Sequence, residues 1–151
     1  MIAVRIETQE ALEKAFSIRK DVFIDEQGTP EDEEYDEFDT LESAEHILVL
    51  DENKAVGTAR WRIVEGEGKF ERICILASHR KLGIGNLIVH KLEDLAYKTG
   101  ITSVKLHGQV QAEGFYHKLG YETCSDVFME DGIPHVLMRK KLPETFTNTT
   151  S

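Results

Sequence analysis

The residues with the clearest chemical purpose fall in one stretch, KFERICILASHRKLGIGNLIVHKLEDLAYKTG, running from Lys69 to Gly100. It reads as a strand, a short loop containing Arg80, Gly83 and Gly85, and a long amphipathic helix. The first turn of a helix presents backbone N–H groups without intrahelical partners at the positive end of the macrodipole, where an anion docks readily. Gly83 and Gly85 carry no side chain to hold a ligand oxygen away, and they tolerate unusual φ, so the backbone can wrap a phosphate closely. Arg80 and Lys81 add positive charge. The stretch therefore predicts a site for a phosphate-bearing ligand.

The elements needed to hold such a loop can be read on either side of it. In the following helix Leu87, Ile88, Leu92 and Leu95 form an apolar stripe at helical spacing, Lys91, Glu93, Asp94 and Lys98 face elsewhere, and Gly100 sits where a left-handed cap belongs. Two familiar phosphate loops fail the spacing. A P-loop needs a Lys-Ser/Thr pair after its last glycine, where Asn86 and Leu87 follow; a dinucleotide fingerprint needs a third glycine, where Ile88 stands. What remains is R-x-x-G-x-G, from Arg80 to Gly85, directly after a strand. Downstream, residues 104–108 read as another strand and AEGFYHKLGY, 112–121, as a short helix capped by Gly120.

The first of these patterns resembles motif A of the GNAT N-acetyltransferases, and the second resembles their motif B, A-x-x-F-Y-x-K-L-G-F, with Tyr121 in the last aromatic place. The resemblance extends over nearly the whole chain: RKDVFIDEQGTP from Arg19, Asp36, Asp39, His46, ERICIL, HGQVQAEGFYHKLGY and DGIPHVLMRK are similar to the ElaA/YjcF-like branch of that superfamily. It implies transfer of an acetyl group from acetyl-CoA, as co-substrate, to an amine acceptor by direct attack in a ternary complex, with no metal. The cofactor pyrophosphate would sit on Arg80, Lys81, Leu82, Gly83, Ile84, Gly85 and Asn86. The pantetheine would pair like an added strand with Cys74, Ile75 and Leu76, and a backbone N–H near Leu76 would polarise the thioester carbonyl.

Two further roles follow from that chemistry. A free alkyl ammonium titrates at about 10.4, so attack needs a base or a proton-accepting water chain. Glu71 is the candidate base; its alternative is an ion-paired strand residue beside Arg72. The departing thiolate needs a proton or a hydrogen bond, and Tyr116 stands where the family carries its general acid. Cys74, in an apolar strand with no adjacent histidine, reads as core rather than nucleophile. His46 reads as a backbone or carboxylate partner, and His79, His107 and His117 show no ligand spacing for a metal. Gln109 and Gln111 follow a strand whose carboxyl end would face the cofactor, and each can touch substrate or simply brace a loop.

At 151 residues the chain predicts a single domain over 1–142, followed by a polar tail over 143–151 that frays. Eighteen basic against 28 acidic residues leave a formal charge of −10, which argues against nucleic acid and against an anionic membrane surface. No targeting segment or bilayer-length apolar run is evident, and two widely spaced cysteines suggest a reducing, cytoplasmic setting. Along the chain the pattern is strand 3–7, a Thr8-capped helix from 9 to about 24, strands 46–50, 55–64 and from 69, then the elements above and closing strands 123–129 and 136–140, with a bulge expected at Gly57. The fold class is α/β, a mixed central sheet flanked by helices, which is also the acyl-CoA N-acyltransferase fold that the resemblance implies. Arg19 lies inside the first helix's apolar stripe and needs an acid, either Glu26 or one of the seven acids packed into residues 31–39. The rest of that run reads as a solvated loop or as a cleft rim that draws in an amine. Residues 28–45 and 125–134 are the variable loops suited to the acceptor. Were the strand at 136–140 an edge, it would permit a homodimer across a two-fold axis. Gly85→Asp puts a carboxylate against the pyrophosphate and is expected to weaken acetyl-CoA binding at least tenfold in calorimetry; unchanged affinity would refute the phosphate-loop assignment.

Overall fold

Thr8 opens the first helix as its side chain suggests, its hydroxyl accepting the Ala11 N–H at 3.2 Å. The computed structural model describes residues 1–143; the expected tail from Glu144 onward lies outside them. Eight described strands make a mixed sheet in the hydrogen-bonded order β1 (Ile2–Arg5), β2 (Glu45–Asp51), β3 (Lys54–Val64), β4 (Glu67–Ile75), β5 (Ser103–Gln109), β8 (Ile133–Lys141), β6 (Glu122–Thr123), with β7 (Phe128–Glu130) pairing β8. Contacts group the chain into two compact units, Met1–Arg62 with Arg72–Leu92, and Ile63–Glu71 with the described residues from Glu93 onward.

In the first unit, β1 (Ile2–Arg5) pairs antiparallel with β2 (Glu45–Asp51), and β2 with β3 (Lys54–Val64). The β2–β3 register shifts where Val49 faces Gly57 and Leu50 faces Ala55, so the bulge expected at Gly57 falls on its neighbour Val56. Gly57 itself answers a close approach: a Cβ there would meet the Cys74 carbonyl and Ile88 Cδ1, each at 3.4 Å. Helix α1 (Gln9–Arg19) sets Leu12, Ala15 and Ile18 into a core with Ile6, Val22, Leu48 and Cys74. The expected single helix to about 24 does not hold, because the chain widens into a π-helical stretch, Lys20–Glu26, whose exit is closed by Gln27 N–H to the Val22 carbonyl, five residues back, at 3.0 Å.

The acidic run supplies the partner expected for Arg19, and it is more ordered than a loop. It holds the short helix α2 (Glu31–Glu34) and encloses two arginines that have almost no contact with water. Arg19 Nε donates to Glu34 at 2.9 Å, and its Nη1 and Nη2 donate to Asp39 at 2.6 and 3.0 Å. Arg60 donates to Asp36 at 2.7 and 2.8 Å and to Asp39 at 2.8 Å. Phe38 lies with its ring centroid 3.9 Å from the Arg62 guanidinium carbon. Glu31, Asp32, Glu33 and Glu37 remain exposed.

In the second unit, the start of β4 (Glu67–Ile75) runs parallel to β5 (Ser103–Gln109), and β5 pairs antiparallel with β8 (Ile133–Lys141). The expected strand 123–129 divides into β6 (Glu122–Thr123) and β7 (Phe128–Glu130), both pairing with β8. β8 thus has partners on both sides, and the edge that would have paired across a two-fold at 136–140 is not an edge. Asp131 and Gly132, at φ 54° and 75°, make the two-residue turn from β7 to β8. Helix α3 (Ile84–Lys98), whose residues up to Leu92 belong to the first unit, ends on Gly100 at φ 93°, with Ile101 N–H returning to the Ala96 carbonyl at 3.0 Å. Its buried stripe is Ile84, Ile88, Val89, Leu92 and Ala96, while Leu87 and Leu95 are only half-buried. Glu93, expected to face outward, is buried; it accepts from the Tyr121 hydroxyl at 2.7 Å and lies 3.1 Å from Lys140 Nζ.

The arginine pairing carries a stability prediction. Burial pushes the Asp39 carboxyl up, but Arg19 outweighs it, together with the Asp36 N–H and Arg60, and holds it down at about 2. A carboxyl depressed in the folded state contributes stability that is present above its unfolded value and is lost as pH falls, here from about pH 4 toward 2, amounting to about 2 kcal/mol. Asp39→Asn should cost ~3 kcal/mol in denaturant titration at pH 7 and flatten that acid limb. A double-mutant cycle with Arg19→Met that showed no coupling would remove the pair from the account.

Candidate functional site

A short loop joins β4 to α3. His79 is fixed by Nε2 to Asp51 at 2.9 Å, then Lys81 at φ 66° and Gly83 at φ 82° turn the chain into α3. Gly83 accepts the Leu87 N–H at 3.3 Å and so acts as the N-cap, which leaves the amides of Ile84, Gly85 and Asn86 as donors without intrahelical partners. Gly85 is helical, so its value there lies in the missing side chain and not in a special φ. A second contribution is absent from the sequence reading: Glu26, at the end of the π-helical stretch, holds Arg80 Nη2 at 2.7 Å, while Arg80 Nε donates to the Ile75 carbonyl at 3.1 Å. The Arg80 hydrogen bond keeps the Glu26 carboxyl below its ordinary range. Glu26, named as one possible partner of Arg19, is thus committed to the loop arginine.

Cys74, Ile75 and Leu76 lie at the end of β4 and just past it. Cys74 is buried, and burial pushes its thiol far above the ordinary range, which makes it core and not a nucleophile. Leu76 N–H donates to the Val56 carbonyl at 2.9 Å. Strand alternation then turns the Ile75 amide to the opposite edge, away from β3. Just upstream the regular strand is interrupted at Arg72, which has φ 56° and places Nε 3.5 Å from Glu34 Oε2. Arg72 is therefore not the partner of Glu71.

Glu71 pairs instead with Lys69, Nζ to Oε2 at 3.3 Å, two positions back on the same face of β4. Tyr116, in α4 (Glu113–Lys118), is buried against β5: a Cβ on Gly108 would meet Tyr116 Cδ2 at 3.3 Å, so glycine is what lets the ring lie on the strand. Burial pushes its phenol up to about 12, and its hydroxyl makes no hydrogen bond among the described residues. A phenol so placed stays protonated near neutrality and can donate. His46 Nε2 meets the Thr40 carbonyl at 3.1 Å, the backbone contact expected of it. Gln111 Nε2 donates to Gln109 Oε1, a brace within the loop.

The family model described as Acetyltransferase (GNAT) domain matches residues 6–142. YyaT of Bacillus subtilis, an uncharacterized protein, is 56% identical over 144 residues, spanning 95% of this chain and 97% of its own. YjcF of the same organism, an uncharacterized N-acetyltransferase, is 45% identical over 141 residues, 93% of this chain and 99% of its own. The crystal structure of Escherichia coli ElaA shares the fold at a TM-score of 0.82 and 24% identity, covering 93% of this chain and 100% of that one.

Glu26 sets a measurable consequence. Its carboxylate competes with any phosphate that reaches Arg80, so Glu26→Gln should tighten acetyl-CoA binding about fivefold in calorimetry, the scale of one exposed ion pair. Arg80→Ala should weaken it. Equal affinities in both variants would show that Arg80 does not meet the ligand.

Proposed function

Because the chain belongs to the GNAT acetyltransferases, in their ElaA/YjcF-like branch, acyl transfer from an acyl-CoA is the chemistry it has to accommodate, and we propose that it moves the acetyl group of acetyl-CoA to a primary amine of a small molecule or peptide. The observation that carries the reading is the loop from Arg80 to Asn86. Two successive left-handed turns, at Lys81 and Gly83, end on three unpartnered helix amides, the arrangement a pyrophosphate needs. In this reading the pantetheine adds as a strand along Cys74, Ile75 and Leu76, and the Ile75 amide meets the thioester oxygen. The amine attacks in a ternary complex, the C–N bond forms as the C–S bond breaks, and the leaving thiolate takes a hydrogen bond from Tyr116. A phenol held near 12 is a weaker acid than an ordinary thiol, at about 8.5, so Tyr116 stabilises the thiolate mainly as a donor. Glu71 brings a carboxylate to the acceptor's ammonium. A single domain over 1–142 and a cytoplasmic setting go with this reading, Cys74 and Cys124 both being free thiols. Among the described residues no helix is long and apolar enough to cross a membrane.

A thermal-shift comparison of acetyl-CoA, CoA, NAD and ATP, followed by a thiol-release screen over polyamines, amino acids, aminoglycosides and peptide N-termini, tests this function. The expected outcome is stabilisation by the CoA compounds alone and thiol release with a subset of amines. Stabilisation without release from any acceptor would make the protein a non-catalytic acyl-CoA-binding module, and turnover only with a longer or carrier-bound donor would replace acetyl-CoA. Tyr116→Phe should lower kcat about 10²-fold with little change in acetyl-CoA affinity; full turnover would assign thiolate stabilisation to another group.

A further inference from the structure

On the face of β5 opposite Tyr116 lies a cluster that the reading above leaves without a task. Tyr116 packs on Gly108, and strand alternation turns His107 and Gln109 to the other face. Lys69 pairs with Lys105 in the parallel β4–β5 register, so two residues further along each strand Glu71 and His107 come to that same face. From the opposite side β8 brings His135 across from Gln109, and β7 brings Phe128 across from His135 and Glu130 across from Ile133. There His107 Nδ1 lies 2.7 Å from Glu130 Oε1, and its ring stands edge-on to Phe128, with centroids 5.1 Å apart. His135 Nδ1 donates to the Ile133 carbonyl at 2.7 Å, which leaves its Nε2 3.9 Å from Glu130 Oε2. The His107 hydrogen bond, working against burial, keeps the Glu130 carboxyl below its ordinary range, so it is anionic beside the imidazole. His107 Nε2 has no hydrogen bond among the described residues, and the side chain is 30% exposed.

We propose that His107 takes the proton from the acceptor's ammonium, with Glu130 as its positioning partner. This rests on the acetyl-transfer reading. A carboxylate at Nδ1 holds the proton there, which leaves the Nε2 lone pair outward and stabilises the imidazolium once it forms. A free carboxylate titrates about six units below an alkyl ammonium and a free imidazole only about four, so imidazole is the better-matched acceptor. Glu71, whose carboxylate is tied to Lys69, then attracts the ammonium and leaves its proton to the neighbouring strand. The step balances: one ammonium proton passes to Nε2, the freed nitrogen lone pair forms the C–N bond, and the C–S pair leaves on sulfur. The second nitrogen proton goes with the thiolate as thiol, and His107 returns its own proton to solvent. The charged and titratable groups facing His107 are Lys69 and Glu71 from β4, Glu130 from β7 and His135 from β8.

The test is the pH profile of kcat/KM on an acceptor found in the thiol-release screen, with the acetyl-CoA melting shift as the control for folding. The wild-type profile should show an ascending limb with rising pH. His107→Gln and His107→Asn should lose that limb and at least 10²-fold in kcat while keeping the acetyl-CoA shift. Glu130→Gln should lower kcat with little change in KM while keeping the acetyl-CoA shift, since an imidazole that is no longer oriented still lets the acceptor bind. A His107 variant that keeps both rate and limb, or a limb that disappears in Glu71→Gln and persists in His107→Gln, overturns the assignment while leaving acetyl transfer intact. A wild-type protein that binds acetyl-CoA but acetylates no amine overturns the function itself, and this inference with it.

Discussion

Arg19 and Arg60 have almost no access to water, and a buried guanidinium is tolerable only when it is neutralised where it lies. Asp39 serves both, Glu34 completes Arg19 and Asp36 completes Arg60. The arrangement has a local cost, since burial pushes the Glu34 carboxyl up in spite of the pull of Arg72 and Arg19. Its consequence is positional. Once Arg19 is fixed at the end of α1, the π-helical stretch that follows delivers Glu26 to Arg80, and Glu34 lies within reach of Arg72 at the interruption of β4. Arg80 and the irregular strand residue Arg72 are thus both tied to elements that the buried ion network holds in place.

The second constraint is the backbone of β5. Gly108 has no side chain, so Tyr116 lies directly on the strand, while the residues on either side of it turn the other way. One strand thereby offers a phenol donor on one face and an imidazole with its carboxylate on the other. Acyl transfer asks for this separation of roles. The leaving sulfur needs a group that keeps its proton, and the attacking nitrogen needs one that accepts a proton; placed side by side the two would exchange it with each other. In the proposed mechanism burial would serve the first role by raising the Tyr116 phenol, and partial exposure of His107 would serve the second.

Much of this was legible in the sequence, because it is written in local spacing. The Thr8 cap, the R-x-x-G-x-G turn, Gly100 and Gly120 as left-handed caps, and the mixed α/β order each depend on residues within a few positions of one another. Arg19's need for an acid was also readable, since an arginine in an apolar stripe must be paired. What escaped was set by long-range register. Glu93 looks exposed by helical periodicity, yet Tyr121 and Lys140 reach it from distant elements. Glu130 meets His107 only because β5 and β7 both pair with β8, and no spacing announces that. The Asp-Gly turn could have placed Glu130 opposite Ile133, but not the strand beyond. The π-helical widening after Arg19 likewise has no signature in the pattern of side chains, and with it the Glu26–Arg80 pair was hidden.

The central claim, that the turn after β4 and the end of that strand receive the cofactor through their backbone amides, is tested most directly by amide hydrogen exchange with and without saturating CoA. The account predicts slowed exchange at Ile84, Gly85 and Asn86, whose N–H groups lack intrahelical partners, and at Ile75 on the edge of β4 turned away from β3. Protection confined to other segments, with these four amides unchanged, would contradict it.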